Sequence, residues 1–221
     1  MVEIADFTRS QIDALSLDPK RPLIISDADE VIVHLARPLE LFLTARGYRI
    51  DLSDYRLFGN VRHADGSVVE MEPLMALLDE FFDAEVEKLP PVAGAVDALC
   101  RLGERAQVVV LTNLPDMYRE RRMRHFLTCG LDAPIVANVG LKGASARAIA
   151  ERVEAPVVFI DDTAPHIRSV AQTLPDSFRV HFIADERLAR AQARAKECHH
   201  RCDRWPTTHL AVERFLEAQG F

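Results

Sequence analysis

Leu23-Ile24-Ile25-Ser26-Asp27-Ala28-Asp29 is a short apolar run, entered from Pro22, that ends in two aspartates. A run this short, with no polar alternation, reads as a strand buried on both faces, which is the mark of a parallel strand. The same form recurs. Gln107-Val108-Val109-Val110-Leu111-Thr112 is closed by Asn113 and Pro115. Pro134-Ile135-Val136-Ala137 is a weaker case. Pro156-Val157-Val158-Phe159-Ile160 runs into Asp161-Asp162, and Arg179-Val180-His181-Phe182-Ile183 is the fifth. The stretches between them, 94–102, 116–127, 144–153, 164–174 and 186–196, read as helices; Val96, Leu99, Cys100 and Leu102 show the spacing in the first. Strand and helix in alternation predict an α/β chain with a Rossmann-like, doubly wound, parallel five-stranded sheet. In such sheets the ligand lies beyond the C-terminal ends of the strands. Three strands deliver polar residues there: Asp27 and Asp29, Thr112 and Asn113, Asp161 and Asp162.

One interval breaks the alternation. Roughly fifty residues separate the first strand from the helix at Gly94, far more than an ordinary connection between strand and helix. Residues 39–45 and 72–86 have helical apolar spacing, and Ala64-Asp65-Gly66 between two short runs predicts a hairpin. The expectation is a catalytic core of residues 1–35 and 89–221, with a small inserted cap domain, 36–88, over the presumed site. The cluster Arg56, Asn60, Arg62 and His63 around the hairpin supplies candidate substrate contacts; His34, just before the insertion, is a further histidine in reach of it.

Composition narrows the partners. The chain has 221 residues, 48% hydrophobic and 28% charged, which suits a globular protein and excludes a disordered or fibrous one. Acidic residues outnumber basic ones 34 to 27, a net charge of −7. That disfavours a nucleic-acid partner held through phosphates. No apolar run approaches the about 18 residues that span a bilayer, and no leader segment is visible, so the expected location is the cytoplasm, away from membranes. Oligomeric state is left open. Four cysteines are too few for a disulfide framework at this length. Cys198-His199-His200-Arg201-Cys202 invites a zinc reading, but adjacent side chains of this kind seldom close one tetrahedron. The basic run Arg119-Glu120-Arg121-Arg122-Met123-Arg124 reads as a salt-bridged, solvated helix face.

Carboxylates gathered at one sheet edge repel unless a cation sits among them. Oxygen-only ligands suit Mg²⁺, which retains waters and shares phosphate oxygens. Thr112 adds a hydroxyl, the Asn113 N–H lies beside it, and Lys142, after Gly140 at a helix start, adds a point charge. A carboxylate, a divalent cation, a hydroxyl and a lysine are the parts of phosphoryl transfer.

These residues resemble the four motifs of the haloacid dehalogenase (HAD) superfamily, in its order. Residues 23–31 are similar to the first, a strand followed by Asp-x-Asp; 108–113 to the second, a strand ending in Thr or Ser; 140–143 to the third, a lysine at a helix start; 157–163 to the fourth, a strand ending in an acidic pair. Pro90-Pro91-Val92-Ala93-Gly94 is similar to the family's return from a C1-type cap. The resemblance covers the core over about 21–183, outside the insertion. It implies that Asp27 attacks phosphorus and forms an aspartyl-phosphate, and that Asp29 acts first as acid and then as base. It implies that Thr112, Asn113 and Lys142 hold the phosphate, and that Mg²⁺ is held by Asp27, the Asp29 carbonyl, and Asp161 or Asp162. Dehalogenase members attack carbon and lack the second aspartate, so Asp29 favours a phosphatase acting on a small phosphorylated metabolite. A phosphomutase with the same intermediate and a non-catalytic phosphate-binding protein are the alternatives. Glu30 stands where many members have glycine and adds a charge expected at the mouth. The segment from Glu186 onward follows no motif.

Overall fold

A computed structural model describes residues 4–53 and 56–221. The five expected strands form: β1 (Leu23–Ser26), β4 (Gln107–Thr112), β5 (Ile135–Ala137), β6 (Val157–Asp161) and β7 (Phe178–His181). They pair in parallel in the order β5-β4-β1-β6-β7. A sixth strand, β8 (His200–Arg201), adds to the β7 edge, also in parallel. β1 is central, in register with Gln107–Val110 on one side and Val157–Ile160 on the other.

Alternation along these strands feeds two apolar layers. Ile24, Val110, Val158, Ile160 and Val180 face one; Leu23, Ile25, Val109, Leu111 and Phe159 face the other. The first layer is covered by α4 (Ala95–Arg105), α5 (Arg119–Thr128) and α9 (Trp205–Ala218), through Leu99, Phe126 and Trp205. The second is covered by α1 (Asp6–Asp13), α6 (Gly143–Ala150) and α7 (Ala164–Thr173), through Ile12, Ile149 and Ile167. Burial on both faces explains why the strand sequences lack polar alternation.

Between β1 and α4 lie α2 (Ala36–Thr44), β2 (Arg49–Ile50), β3 (Val61–Arg62) and α3 (Met71–Glu85). β2 and β3 pair antiparallel, and Arg62 bridges Val68 across a turn in which Gly66 takes φ 90°. Only glycine adopts that conformation without strain. The hairpin at 64–66 therefore forms as expected, with β2 as an addition. Leu39, Phe42, Leu74 and Phe81 of this insertion join the same apolar layer as Leu99 and Trp205.

The chain enters and leaves the insertion through a paired neck. The His34 N–H donates to the Pro90 carbonyl at 2.9 Å and the Val92 N–H to the Ile32 carbonyl at 2.8 Å. Glu30 governs this neck and does not stand at the mouth. It is buried, with φ 56°. One carboxylate oxygen accepts from the N–H groups of Leu35 and Ala36 at 2.7 and 2.6 Å, which caps α2; the other accepts from the Asp185 N–H at 2.9 Å. The extra charge relative to glycine is thus a clamp between the neck and the loop after β7. Glu30→Ala leaves three inward N–H groups without this acceptor and keeps the left-handed backbone, so a loss of about 3 kcal/mol is expected in denaturant melts. Glu30→Gly relieves the backbone and should lose about 1 kcal/mol less.

The C-terminal segment, unassigned from sequence, buttresses the sheet. The Trp205 indole N–H donates to the Val31 carbonyl at 2.8 Å and the ring is fully buried. The His181 Nδ1 accepts from the Ala195 N–H at 3.1 Å, so its Nε2–H donates to the Asp162 carbonyl at 2.9 Å. The Cys198–Cys202 cluster is dispersed. Arg194 donates to the Cys198 sulfur, the His199 ring accepts from the Arg179 N–H, and both histidine rings lie against Phe178.

Candidate active site

β1 carries its parallel pairing one residue further, with the Asp27 N–H donating to the Ile160 carbonyl at 2.8 Å, and then turns. The turn returns three N–H groups, of Val31, Ile32 and Val33, to the Ala28 carbonyl. This sends the two aspartates of the first motif apart. The carboxylate of Asp27 joins those of Asp161 and Asp162 at the end of β6, with ligand oxygens all within 4.8 Å of one another. Asp29 is outside that group. Its Oδ1 accepts from Nη1 of Arg122 on α5 at 2.8 Å. The sequence expectation of four converging carboxylates becomes three, with Asp29 ion-paired to Arg122 beside them.

Lys142 sits inside the carboxylate group. Its Nζ lies 2.7 Å from Asp27 Oδ1 and 2.8 Å from Asp161 Oδ2, with the side chain 1% exposed. Asp161 is engaged at both oxygens, since Oδ1 accepts from the N–H and hydroxyl of Thr163 at 2.9 Å. Burial pushes the Asp27 carboxyl up to about 7, with Asp161 and Asp29 adding to the rise and Lys142 opposing it. Burial also opposes the ammonium of Lys142, but Asp161 and Asp27 outweigh it and hold Lys142 above its ordinary value. For Asp161 burial is likewise overcome, here chiefly by Lys142, and its carboxyl is held low. His166 on α7 is pulled down to about 4 by burial, so it is neutral at neutral pH and adds no charge. One ammonium among three buried carboxylates leaves negative charge in excess. That oxygen-only set fits a hard divalent cation.

The remaining candidates divide. Thr112, 1% exposed at the end of β4, accepts from the Leu114 N–H through Oγ1 at 3.2 Å. The Asn113 side chain braces the loop that carries Lys142: Nδ2 donates to the Gly140 carbonyl and Oδ1 accepts from Asn138. Asn138 extends this brace to the Ser145 hydroxyl at 2.6 Å. Sequence reading passed over Asn138, although it follows β5 as Asn113 follows β4. Of the insertion candidates, Arg62 and His63 have local partners within the insertion. Arg62 donates to the Gly66 carbonyl of its own hairpin and His63 lies against Tyr48, with ring centroids 5.3 Å apart. Arg56 is exposed, and the Asn60 carbonyl accepts from Asp51 in the sheet of the insertion. None of the hydrogen bonds and ring contacts described for Arg62 and His63 reaches Asp27 or Lys142. The basic run on α5 is salt-bridged as expected, but to the insertion: Arg121 binds Asp83 and Glu87, and Arg124 binds Glu87. Arg122 points inward and was missed.

Close packing of α6 on α7 fixes the Lys142 loop. A Cβ on Gly143 would lie 2.5 Å from the Ser169 carbonyl oxygen. Gly143→Ala must therefore displace the start of α6. A stability loss of about 2 kcal/mol is expected by thermal denaturation.

No protein-family model matches the chain, and no curated protein matches it significantly. Solved structures do. A conserved haloacid dehalogenase-like protein of unknown function from Agrobacterium tumefaciens aligns over 87% of this chain and 98% of its own, with 17% identity and a TM-score of 0.62. A HAD family hydrolase from Deinococcus radiodurans, solved with bound phosphate and sodium, aligns over 89% and 97%, with 15% identity and a TM-score of 0.59. An L-2-haloacid dehalogenase aligns over 88% and 99%, with 11% identity and a TM-score of 0.59. The chain has the HAD-like fold. Fold alone does not choose among the reactions such proteins carry out.

Proposed function

We propose that this chain is a HAD-superfamily phosphatase that hydrolyses a small phosphomonoester with Mg²⁺. The observation that carries the reading is the buried ammonium of Lys142 held between Asp27 and Asp161, with Asp162 beside them. Such a cluster suits binding of a phosphate together with a cation better than it suits stability, since buried charges are costly unless matched. Asp27, Asp162 and the Asp29 backbone carbonyl hold the metal; Asp161, occupied at both oxygens, orients Lys142. Bound Mg²⁺ supplies neutralisation of the phosphate and of the carboxylates around it. Asp27 attacks phosphorus, forming an aspartyl-phosphate as the ester P–O bond breaks. Asp29 gives its proton to the departing oxygen, then takes one from the water that attacks phosphorus and frees Asp27. Lys142 balances charge on the nucleophile and the phosphoryl oxygens, and Thr112 Oγ1 with the Asn113 N–H binds a phosphoryl oxygen.

Residues 36–88 act in this reading as a C1-type cap that excludes water and selects the leaving group. In the structure Asp27 is buried and the Asp29 side chain only 18% exposed, which favours a small metabolite over a nucleic acid. Among the described residues no helix is long and apolar enough to cross a membrane. The test is phosphate release from 4-nitrophenyl phosphate by protein stripped with EDTA and then reloaded. Release is expected only with Mg²⁺; release unaffected by chelation, or none under either condition, would sink the proposal. Transfer of phosphate to a sugar hydroxyl in preference to water would move the reading to a mutase.

A further inference from the structure

Arg122 is fully buried, and among the described residues it makes one hydrogen bond, to Asp29. Its Nε and Nη2 are also buried and have no protein partner there. The Phe126 ring also lies near it, with its centroid 5.8 Å from the guanidinium carbon. A guanidinium is a poor choice for filling space. It needs partners for five N–H groups, and an apolar side chain of similar length serves packing at least as well. The single bond it does make goes to the one carboxylate at this sheet edge that stands outside the Asp27, Asp161, Asp162 group. That bond occupies Oδ1 of Asp29. We propose that Arg122 is a positioning residue: it fixes the rotamer of Asp29 so that Oδ2 faces the leaving-group oxygen.

The placement of Arg122 adds a consequence. Arg121 and Arg124, on the outer face of the same helix, bind Asp83 and Glu87 of the insertion. Tyr118, in the turn before α5, donates to the Asp79 carbonyl at 3.0 Å. The helix that seats the insertion therefore also holds Asp29, so the acid is aligned where the insertion is docked. This rests on the phosphatase reading. In the first step Asp29, in its protonated form, passes the proton on Oδ2 to the oxygen leaving phosphorus as the Asp27–phosphorus bond forms and the ester P–O bond breaks; Arg122, bonded to Oδ1, gains and loses nothing.

The test uses the full chain with Mg²⁺ and follows the first turnover on two esters, 4-nitrophenyl phosphate and butyl phosphate. Nitrophenolate leaves without a proton, whereas butoxide needs one. Arg122→Met is expected to slow butanol release about 100-fold, the scale of general acid catalysis, and nitrophenol release far less. Added to Asp29→Asn, it should slow butanol release no further. Equal slowing of both esters, or losses that multiply in the double variant, would show Arg122 to be a packing residue. If Arg122→Met does not fold, Arg122→Lys, which keeps a donor and the charge, gives the same comparison: a loss confined to the butyl ester supports the proposal, and a uniform loss overturns it. Wild-type protein inactive on both esters would remove the phosphatase reading and this proposal with it, a pattern distinct from uniform loss in an active enzyme.

Discussion

Asp27→Asn is expected to lower turnover at least about 10⁴-fold, because it removes the carboxylate that follows β1 directly and touches Lys142. The same substitution should stabilise the metal-free protein at neutral pH and above. In the native state burial raises the Asp27 carboxyl from 3.8 to about 7. A group whose folded value is raised contributes stability below its unfolded value and loses it as pH rises through the folded value. The metal-free wild type therefore loses stability between about pH 4 and 7 on account of Asp27. The gap separating it from Asp27→Asn is absent near pH 4 and opens to about 4 kcal/mol above pH 7. Chemical denaturation across pH with EDTA measures it. Adding Mg²⁺ should close the gap from the wild-type side, because a cation among Asp27, Asp161 and Asp162 removes the cost of ionising Asp27. Equal stability of the two proteins at every pH would mean that Asp27 is ionised without penalty in the absence of metal.

Lys142→Met should have the opposite sign in stability and the same sign in activity. It leaves Asp27 and Asp161, both buried, without the ammonium that lies within 2.8 Å of each. Removing one member of a buried ion cluster typically costs about 3–5 kcal/mol, because the remaining charges stay desolvated. The loss should shrink when Mg²⁺ is present, and the variant should bind Mg²⁺ more tightly than wild type while losing affinity for a phosphate mimic such as beryllium fluoride. Denaturation with and without metal, and titration calorimetry with each ligand, separate these effects. Tighter phosphate binding in the variant would contradict the role given to Lys142.

The legibility of the chain followed burial. The five strands were readable because each is covered on both faces, and unbroken β-branched runs leave few other options. β8 was not, for it is two residues long, His200 and Arg201, and exists through the pairing of 180–181 with 200–201. Asp27, Thr112, Asp161 and Asp162 were readable as candidates because they stand at strand ends, and Lys142 because it stands just before a helix; the structure brings Asp27, Lys142, Asp161 and Asp162 together. Glu30 was misplaced because one positive φ turns its side chain away from the mouth, and sequence does not show which residue will adopt it. Arg122 was hidden inside a basic run. Its signal was phase: Arg122, His125 and Phe126 share the buried side of α5, while Arg121 and Arg124 do not. The substrate candidates in the insertion rested on their clustering at the hairpin, which places them near one another but does not set the direction of each side chain; Arg62 and His63 are engaged locally.

The paired neck has a bearing on how such a chain can change. Residues 32–34 and 90–92 lie side by side, so the core meets the insertion as a single closed loop with its ends already joined. Closure entropy grows only with the logarithm of loop length, about 0.6 kcal/mol for each doubling. Changing the length of the exposed hairpin turn at 64–66 beyond the neck thus costs the sheet little, whereas Leu39, Phe42, Leu74 and Phe81, which pack into its apolar layer, must be kept or matched. Such changes leave Asp27, Lys142 and Asp161 on strands and loops whose pairing lies on the core side of the neck.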